Sequence, residues 1–490
     1  MEFKNYSFKD LLSHIVDNRG KTCPVENIGI PLIATNCIKD DSLYAEYERI
    51  RFVSDDTYKT WFRGHPEPED IIFVCKGSPG RVAWVQNPVP YCIAQDMVAI
   101  RANKSLIDSK FLFALLRNPS TQKSILNMHV GTMIPHFKKG DFSNLYFDIP
   151  QDLAYQKWAG ELYFSFSEKI ELNKQTNQTL EQMAQALFKS WFVDFDPVFD
   201  NAFDAGLSVD DFPDELQHRA MLRQQHRSEA MQQGAEAMMP QTPQSTAVLQ
   251  PQNQQTTQTE SEHIRGLFPS EFEQCDDPSV GINGWIPKDW IAKSVSEVIN
   301  VNPRTSLPKN SIAKFADMKA LPTIGYMVNQ ITKKEFSGGA KFKQHDILLA
   351  RITPCLENGK TALVDFLNDE EVGFGSTEFI VLRQKNKLSY SFIACLARDE
   401  NFRKHCIQNM VGSSGRQRVQ NSCFDIYLLS VPSNEKIFEK FTDLTKPNFE
   451  KMTINNNEIN YLSKIRDTLL PKLISGELKF SEAVQSIETK

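Results

Sequence analysis

The chain has 490 residues, 41% of them hydrophobic and 24% charged, and a net charge of −6. This length predicts two or three domains, and no apolar run reaches the roughly 18 residues of a membrane-spanning helix. The negative charge argues against a chain that binds nucleic acid tightly by itself. The charge is uneven, however: residues 196–284 are strongly acidic, whereas residues 285–490 are mildly basic.

The cysteines and the amino terminus indicate a compartment. Nine cysteines are scattered along the chain, and none belongs to a Cys-x-x-Cys pair. Such isolated cysteines are typical of reduced residues packed inside a cytosolic protein. The first turns of the chain mix charge throughout, which excludes a secretory signal. We therefore expect a cytoplasmic protein.

The sequence contains an internal repeat with a long period. The segment 70-DIIFVCKGSPGRVAWV corresponds to 346-DILLARITPCLENGKTALV, and each reads as a strand, a turn with Gly and Pro, and a second strand. Further matches follow in the same order: 96–101 with 378–383, 108–118 with 389–399, 130–132 with 411–413, and Pro150 with Pro432. Because the matches are collinear, we predict two similar mixed α/β domains, over residues 1–150 and 284–432.

A long segment with helical periodicity follows each closing proline. Its apolar and amide positions alternate at spacings of three and four residues, which is the heptad pattern of a coiled coil. We predict spacer helices over residues 151–196 and 433–476, each about 40 residues and roughly 60 Å long. They run antiparallel if a pseudo-two-fold axis relates the two copies of the repeat, as we expect. Two amphipathic helices buried in one ordinary core are the alternative. The seam and docking residues are Ile170, Leu180, Leu187, Trp191, Phe192, Ile459, Leu462, Leu469 and Leu473.

Polar residues and large apolar residues stand out within this seam. Asn173 and Asn455 occupy equivalent positions, where a buried asparagine fixes the register at a cost in stability. Trp191 and Phe192 end the first helix, and we expect Leu469, Leu473 and Ile474 opposite them. These side chains predict packing within the helix pair and, in addition, a docking surface.

Residues 197–283 are predicted to be an acidic, Gln-rich linker that is partly disordered. Low hydrophobicity with many Gln, Thr and Pro residues leaves too little apolar surface to offset chain entropy. Only residues 214–238 have a helical pattern, and we expect a transient helix there. Residues 477–490 are expected to form a carboxy-terminal tail.

Motifs at the helices and domain entries resemble a known family. They are LEQMAQALFKSWFVDFDPV (180–198), GLFPSEFE (266–273), GWIPKDW (284–290), LLPKLISGEL (469–478) and the opening DNRGKTCPV (17–25). Together they resemble the specificity subunits of Type I restriction–modification systems. The resemblance extends over most of the chain, although the domain interiors match mainly in pattern. The Gln-rich insert is longer than the family pattern requires.

The resemblance implies two target-recognition domains held apart by two antiparallel helices, each domain reading half of an asymmetric DNA target. The chain itself would catalyse nothing and would hold no metal or cofactor. Its helices would dock two modification subunits, which bind S-adenosylmethionine and methylate adenine. Restriction subunits with ATP-driven translocation and nuclease activity would join them. We therefore expect S-adenosylmethionine, ATP and Mg in the partner subunits, which would also share the phosphate contacts.

Basic and amide side chains in Gly and Ser turns are the candidate DNA contacts. The backbone can approach phosphate in such turns, and Arg or Gln can read base edges. The turn from Lys76 to Arg81 is matched by the repeat to the turn from Arg351 to Lys360, and the other candidates follow Gly131 and Gly412. The full set is Lys76, Arg81, Thr132, His136, Lys138, Lys139, Arg351, Lys360, Ser413, Ser414, Arg416, Gln417 and Arg418.

Two other functions remain open as alternatives. The segment 87-NPVPY resembles the Asn-Pro-Pro-Tyr motif of amino-methyltransferases and would indicate a self-contained adenine methyltransferase. An inserted valine displaces the aromatic ring, so a turn between strands is the preferred interpretation. Two Gly-Lys-Thr fragments, at Gly20 and Gly359, lack the earlier glycine that a P-loop requires. A duplicated coiled-coil scaffold without DNA specificity is the second alternative.

Overall fold

The computed structural model of the chain describes residues 1–18, 21–128, 135–237, 262–413 and 415–478. Contacts divide the chain into two compact units. Unit 1 contains Met1–Gln175 and the described residues from Asn456 onward, and unit 2 contains Thr176–Asn455. None of the helices in the described ranges has both the length and the apolar character needed to cross a membrane.

Unit 1 combines short strands with helices. Its strands are β1 Phe3–Ser7, β2 Leu12–Asp17, β3 Ile30–Ile33, β4 Arg51–Val53, β5 Ile71–Val74, β6 Val82–Trp84, β7 Cys92–Ile93, β8 Met97–Ala102 and β9 Tyr146–Pro150. Its helices are α1 Asp55–Thr60, α2 Ser109–Arg117, α3 Pro119–Met128 and the first part of α4 Leu153–Phe188.

Unit 2 has the same kinds of element. Its strands are β10 Phe272–Gln274, β11 Trp285–Pro287, β12 Trp290–Ser294, β13 Asn300–Val301, β14 Ile312–Ala316, β15 Thr332–Glu335, β16 Ala340–Phe342, β17 Ile347–Ala350, β18 Thr361–Leu363, β19 Gly373–Gly375, β20 Phe379–Arg383, β21 Met410–Val411, β22 Arg418–Val419 and β23 Leu428–Pro432. Its helices are α5 Asp196–Asp204, α6 Asp214–Ala237, α7 Val295–Val298, α8 Tyr390–Arg398, α9 Glu400–Gln408, α10 Cys423–Ile426 and the first part of α11 Lys436–Ile474.

The two units share the topology of their central sheets and of most strands around them. The central sheet has the order β2-β8-β5-β6 in unit 1 and β13-β20-β17-β18 in unit 2, with antiparallel pairing throughout. A second sheet contains a parallel pair, β3 with β7 or β14 with β19. Each unit also has a separate antiparallel strand pair, β1 with β9 in unit 1 and β12 with β23 in unit 2. The closing prolines, Pro150 and Pro432, belong to these pairs. The predicted duplication into two similar mixed domains is confirmed.

A buried ion pair recurs at the same place in both central sheets. Arg101 on β8 donates from Nε and Nη2 to the Asp70 carboxylate at 2.8 and 3.0 Å. Arg383 on β20 makes the same two bonds to Asp346, each at 2.7 Å. Both aspartates are 1% exposed. Because removing one partner leaves the other charge buried and unpaired, each pair ties the start of β5 or β17 to the facing strand.

The central strands are apolar on both faces because both faces are covered. In β5, Ile71 and Phe73 pack with α2, whereas Ile72 and Val74 pack on the opposite side. Side chains alternate between the faces of a strand, so a continuous apolar run is what such burial requires. The Asp108 side chain accepts from two backbone amides at the start of α2, which helps to begin this helix.

Helices α4 and α11 pack antiparallel within each unit. In unit 1 the Tyr155 hydroxyl donates to the Leu473 carbonyl at 2.9 Å, and Asn173 Nδ2 donates to Glu458 Oε2 at 2.9 Å. In unit 2 Asn455 Nδ2 donates to Asn177 Oδ1 at 2.8 Å. Residue numbers fall along α11 as they rise along α4, so the predicted antiparallel pairing of two long helices is confirmed. The seam asparagines have polar partners across the pair.

The seam deviates from a strict heptad towards the helix ends. Phe188 is buried while the predicted Leu187 is only half-buried, and Leu470 is buried while Leu469 is half-buried. An α-helix has 3.6 residues per turn, so its packed face drifts from a 3.5-residue repeat. Helix α4 also ends before the predicted residue 196, because a single π-helical turn, Lys189–Val193, follows it.

Trp191 and Phe192 do not face Leu469, Leu473 and Ile474 as expected. The Trp191 ring centroid lies 5.9 Å from that of Phe441, and the Phe192 ring stacks on Phe438 at 5.6 Å, all within unit 2. Leu469, Leu473 and Ile474 pack instead in the core of unit 1. In an antiparallel pair the end of one helix meets the start of the other, which is why the expected pairing is wrong.

Part of the segment interpreted as a linker forms a helical hairpin. Arginines spaced four residues apart on α6 pair with aspartates spaced four apart on α5, and one of them also pairs with Asp194 just before α5, which places one row against the other. The ion pairs are Arg219 with Asp194 and Asp196, Arg223 with Asp196 and Asp200, and Arg227 with Asp200 and Asp204. Phe199, Phe212 and Leu216 form a small apolar core beside them. Charge pairing thus compensates for the low hydrophobicity of this hairpin. The rest of the predicted linker up to residue 261, from residue 238 onward, lies outside the described range.

Candidate nucleic-acid interface

Two candidate loops of unit 1 meet at the end of strand β5. A β-bridge pairs Lys76 with His136. On either side of this bridge, Phe137 N donates to Cys75 O at 2.8 Å, and Gly77 N donates to Pro135 O at 3.0 Å. The sequence contains these loops about 60 residues apart, and the fold joins them by backbone hydrogen bonds.

Unit 2 builds the same junction from the corresponding loops. A β-bridge pairs Ile352 with Arg418. Val419 N donates to Arg351 O at 2.9 Å, and Thr353 N donates to Gln417 O at 3.1 Å. The junction therefore occurs once in each unit, with the same hydrogen-bond pattern and different side chains.

These hydrogen bonds correct one residue match of the repeat. Cys75 N donates to Asp96 O, and Arg351 N donates to Glu378 O. Arg351 thus occupies the position that Cys75 has in unit 1. The sequence comparison had matched Arg351 to Lys76, which is one residue later. The other end of the turn is matched correctly, because Val74 N donates to Arg81 O and Ala350 N donates to Lys360 O.

The basic side chains of the unit 1 junction are half-buried or exposed and lie beside carboxylates. Lys76 Nζ is 3.9 Å from Asp96 Oδ1, and Arg81 Nε is 3.1 Å from Asp40 Oδ2. Lys139 pairs with Asp17. Lys138 is exposed, and its backbone amide donates to Asp141 Oδ2 at 3.2 Å. His136 joins the junction through the bridge, whereas Thr132 lies outside the described residues.

In unit 2 several candidate side chains already have protein partners. Arg418 Nη2 and Nε donate to the two Glu378 oxygens at 2.7 and 2.9 Å, and this hydrogen bonding lowers the pKa of Glu378. Lys360 Nζ donates to Met318 O at 2.7 Å, which engages its ammonium group. Arg351 Nη2 donates to Val419 O at 2.7 Å.

The tip of the second loop presents the accessible candidates. Ser413 and Arg416 are exposed, and Gln417 is half-buried. No side-chain hydrogen bond or ion pair to the described residues holds the Arg416 guanidinium. Gly412 has φ of +137°, and a Cβ there would lie 2.9 Å from Arg416 O, so this tight turn requires glycine. Ser414 lies outside the described residues.

A groove beside the unit 2 junction contains basic residues that the sequence interpretation missed. Its volume is about 810 Å³, and Arg304, Lys341 and Arg351 line it, with no Asp or Glu among the lining residues. Arg304 follows Pro303 in the loop after β13, and Lys341 lies on β16 two residues after Gly339. Basic residues close to a Pro or Gly in a loop are the sequence signal that could have found them.

The long helices expose apolar side chains in both units. In unit 1, Leu172 and Tyr461 are 55% and 54% exposed; in unit 2, Met183 and Ile454 are 57% and 59% exposed. Ile454 and Tyr461 are seven residues apart, two helical turns on one face. The predicted seam residues Ile170, Trp191, Phe192 and Leu473 are buried, and Leu180, Leu187, Ile459, Leu462 and Leu469 are half-buried. The accessible apolar surface therefore consists of other residues than the predicted seam.

The segment that resembles a methyltransferase motif is not open to a base. Tyr91 is 3% exposed, its ring contacts Tyr47 with centroids 6.5 Å apart, and burial raises the pKa of its hydroxyl. A catalytic aromatic ring must be accessible to stack on a flipped base. Within the described ranges, no group of three His, Cys, Asp or Glu side chains is placed to hold a metal ion.

Comparisons with known proteins agree with the duplicated fold. A model of the Type I restriction modification DNA specificity domain matches residues 12–182 and 287–461. The Type I restriction enzyme HindI specificity subunit of Haemophilus influenzae is 26% identical over 489 residues, which cover 97% of this chain and 100% of that protein. The MjaIX specificity subunit of Methanocaldococcus jannaschii is 22% identical over 427 residues, 85% of this chain and 79% of that protein.

A solved structure of a Type I restriction–modification S subunit from M. genitalium aligns over 96% of both chains, at 14% identity and a TM-score of 0.48. The matches to the family model cover most of the present sequence, in two segments that correspond to the repeat. The chain therefore belongs to the Type I restriction–modification DNA specificity family, which confirms the predicted role of a DNA-recognition subunit that is not itself an enzyme.

Proposed function

We propose that this subunit reads an asymmetric, bipartite DNA target, with one half recognised by each unit. The loop junction carries this proposal, because it recurs in both units with the same hydrogen bonds. Its side chains differ: the bridge joins Lys76 to His136 in unit 1, and Ile352 to Arg418 in unit 2. Arg351 of unit 2 stands where unit 1 has Cys75. Different side chains on one scaffold favour different base sequences, so the two half-sites differ.

The two long helices serve as spacer and docking surface in this proposal. Helix α4 has 36 residues and α11 has 39, which correspond to about 55 Å of helix. Two reading heads on one face of B-DNA need a separation of about 34–36 Å or a multiple. Each unit also exposes apolar side chains on these helices, which supports docking of one methyltransferase subunit per unit. Restriction subunits join through them.

The chemistry belongs to the partners. S-adenosylmethionine binds in the methyltransferase subunits, ATP and Mg in the partner subunits, and no cofactor binds in this chain. The partners also supply phosphate contacts that a subunit with net charge −6 lacks. We further propose a cytoplasmic location, which the free cysteines support.

Reconstitution of this chain with its methyltransferase subunits tests the proposal. The complex would be incubated with a library of random DNA and S-adenosylmethionine, and methylated adenines would be mapped by sequencing. We expect methylation within one bipartite motif with two unlike halves and a fixed gap. The methyltransferase subunits alone serve as the control and should select no motif. Methylation without any motif would favour the scaffold alternative, and S-adenosylmethionine binding by the isolated chain would favour the methyltransferase alternative.

A further inference from the structure

The groove of unit 2 that Arg304, Lys341 and Arg351 line has the chemistry of an anion site. The three cations come from separate elements: the loop after β13, strand β16 and the end of β17. None of the described residues that line the groove bears a carboxylate, and the carboxylate of Glu378, next to the lining residue Thr377, is held by Arg418 at 2.7–3.0 Å. The groove therefore carries positive charge that no lining carboxylate neutralises, although Glu378 also interacts with Arg351.

The loop that bears Arg304 is fixed on both sides. Before it, Asn302 N donates to Val381 O at 2.7 Å, and Asn302 Oδ1 accepts from Val381 N at 2.9 Å. After it, Thr305 Oγ1 accepts from Arg383 Nη2 at 3.1 Å. Arg383 is itself locked on the buried Asp346. A loop held in this way loses little conformational freedom when Arg304 binds a ligand.

The other two cations also stand on ordered backbone. Lys341 pairs with Phe374 across the β16–β19 ladder, and Gly339 beside it lets the backbone approach Gly375 O, which a Cβ would meet at 2.0 Å. Arg351 Nε is buried without a hydrogen-bond partner among the described residues. A donor of a charged group without an acceptor is costly.

The described part of unit 1 does not repeat the cation set of this groove. Cys75 stands in the position of Arg351, as the hydrogen bonds of the junction show. In the second sheet of unit 1 the order is β4-β3-β7, so the described residues include no counterpart of β16 and hence of Lys341. The two units thus share the junction and differ in the cationic groove.

We propose that this groove binds the phosphate backbone of the DNA at the half-site read by unit 2, with Arg304 and Lys341 as phosphate-contacting residues. The inference rests on the proposed function and adds to it a contact set that unit 1 lacks. Phosphate contacts fix the register of a protein on DNA and carry no base information. The groove therefore contributes affinity and not the identity of the half-site.

The test measures binding of the reconstituted methyltransferase complex to its own target at several salt concentrations. The double variant Arg304→Ala with Lys341→Ala should bind several-fold more weakly at low salt. The slope of log Kd against log salt should fall by about two, one for each lost phosphate contact. Lys288→Ala is the matched control, because this exposed lysine pairs with Glu271 outside the groove. The methylated motif should be unchanged.

Uncharged methylphosphonate linkages placed at either half-site locate the contact. They should weaken wild-type binding at both half-sites. For the double variant, methylphosphonates at the half-site read by unit 2 should weaken binding little further. Those at the half-site read by unit 1 should weaken binding as much as they do for the wild type. An unchanged salt slope, equal effects at both half-sites, or an altered motif overturns the inference. Failure of the wild-type complex to select any target would instead reject the proposed function itself.

Discussion

Single residues at the loop junction differ in how free they are to meet DNA. Arg418 donates to Glu378, and Lys360 donates to a backbone carbonyl, so both side chains already have partners within the protein. Arg416 is exposed at the tip of the same loop, with its guanidinium unengaged by the described residues. An unengaged guanidinium can bind a guanine edge without first breaking a protein contact. Arg416 is therefore the residue whose removal tests base reading most directly.

Arg416→Ala should weaken target binding by roughly 1–3 kcal/mol and relax one position of one half-site, because a base contact is lost. Methylome sequencing of the reconstituted complex measures the motif, and a gel shift measures the affinity. Lys288→Ala is the control and should leave both unchanged. Relaxation of both half-sites, or of neither, would contradict the assignment.

The acid group of Asp365 makes the stability of unit 2 depend on pH. Burial raises its pKa to about 6, although a hydrogen bond from Thr453 favours the ionised form. An unfolded aspartate ionises near pH 4, so the folded state is penalised progressively from about pH 4 to 6 and fully above that. Asp365→Asn should therefore raise the free energy of unfolding by up to ~3 kcal/mol at pH 7 and by almost nothing below pH 4.

Urea denaturation of the wild type and Asp365→Asn from pH 4 to 7 checks this dependence. Asp369→Asn, at an exposed position nearby in sequence, is the control. A difference in stability between wild type and Asp365→Asn that stays constant over this range would show that the carboxyl group is not the cause.

At the scale of elements, charge pairing builds structure where composition alone indicates a linker. Three arginines on α6 face aspartates on and before α5, and Asp200 is almost fully buried under Arg223 and Arg227. Loss of one arginine leaves a buried carboxylate without one of its charge partners. This loss costs more free energy of folding than the intact ion pair contributes. The hairpin therefore depends on its ion pairs as much as on its small apolar core.

Arg223→Ala should loosen the α5–α6 hairpin by about 2 kcal/mol, because Asp200 loses its bidentate partner and keeps only Arg227. Hydrogen exchange of the α5 and α6 amides is the measurement, and protection should fall there more than in the central sheet. Gln225→Ala, at an exposed position of α6, is the control. Equal protection in the two variants would show that the ladder does not hold the hairpin.

The exposed apolar faces of the long helices make a separate prediction about assembly. Ile454→Glu in unit 2 and Tyr461→Glu in unit 1 place a charge where we propose a methyltransferase subunit docks. Each variant should retain one bound methyltransferase subunit, and the double variant none, because a charge buried in an interface is costly. Native mass spectrometry counts the subunits. Asn460→Glu, an exposed position on the same helix, should assemble normally, and full assembly of the double variant would move the docking surface elsewhere.

At the scale of the whole molecule, the chain is a duplication whose copies share a scaffold and differ in their surfaces. The buried pairs Asp70–Arg101 and Asp346–Arg383 occupy equivalent places. The cationic groove, in contrast, belongs to unit 2. A repeated scaffold with unlike surfaces is what reading an asymmetric target demands.

Insertion of four residues into α4 after Gln175, with four into α11 after Asn455, should lengthen the gap of the DNA target. About one helical turn adds roughly 6 Å, which corresponds to one or two base pairs. The bases of both half-sites should stay the same, because the reading loops are untouched. Sequencing of the methylated DNA measures the gap and the half-sites together. A four-residue insertion in the surface loop at Lys309 of unit 2 is the control and should leave the gap unchanged. An unchanged gap in the helix variant would contradict the spacer role.

Local patterns in the sequence determined the duplication, the buried strands such as β5, and the two long helices. Periodicity reports which face of one element is buried, and that information lies within a few residues. Only the tertiary structure decided which segments meet. It joined the Lys76 and His136 loops, placed Trp191 against Phe441, and set Arg351 one residue away from its expected match. Such choices depend on the register between segments distant in the chain, and a slip of one residue turns a side chain to the opposite face.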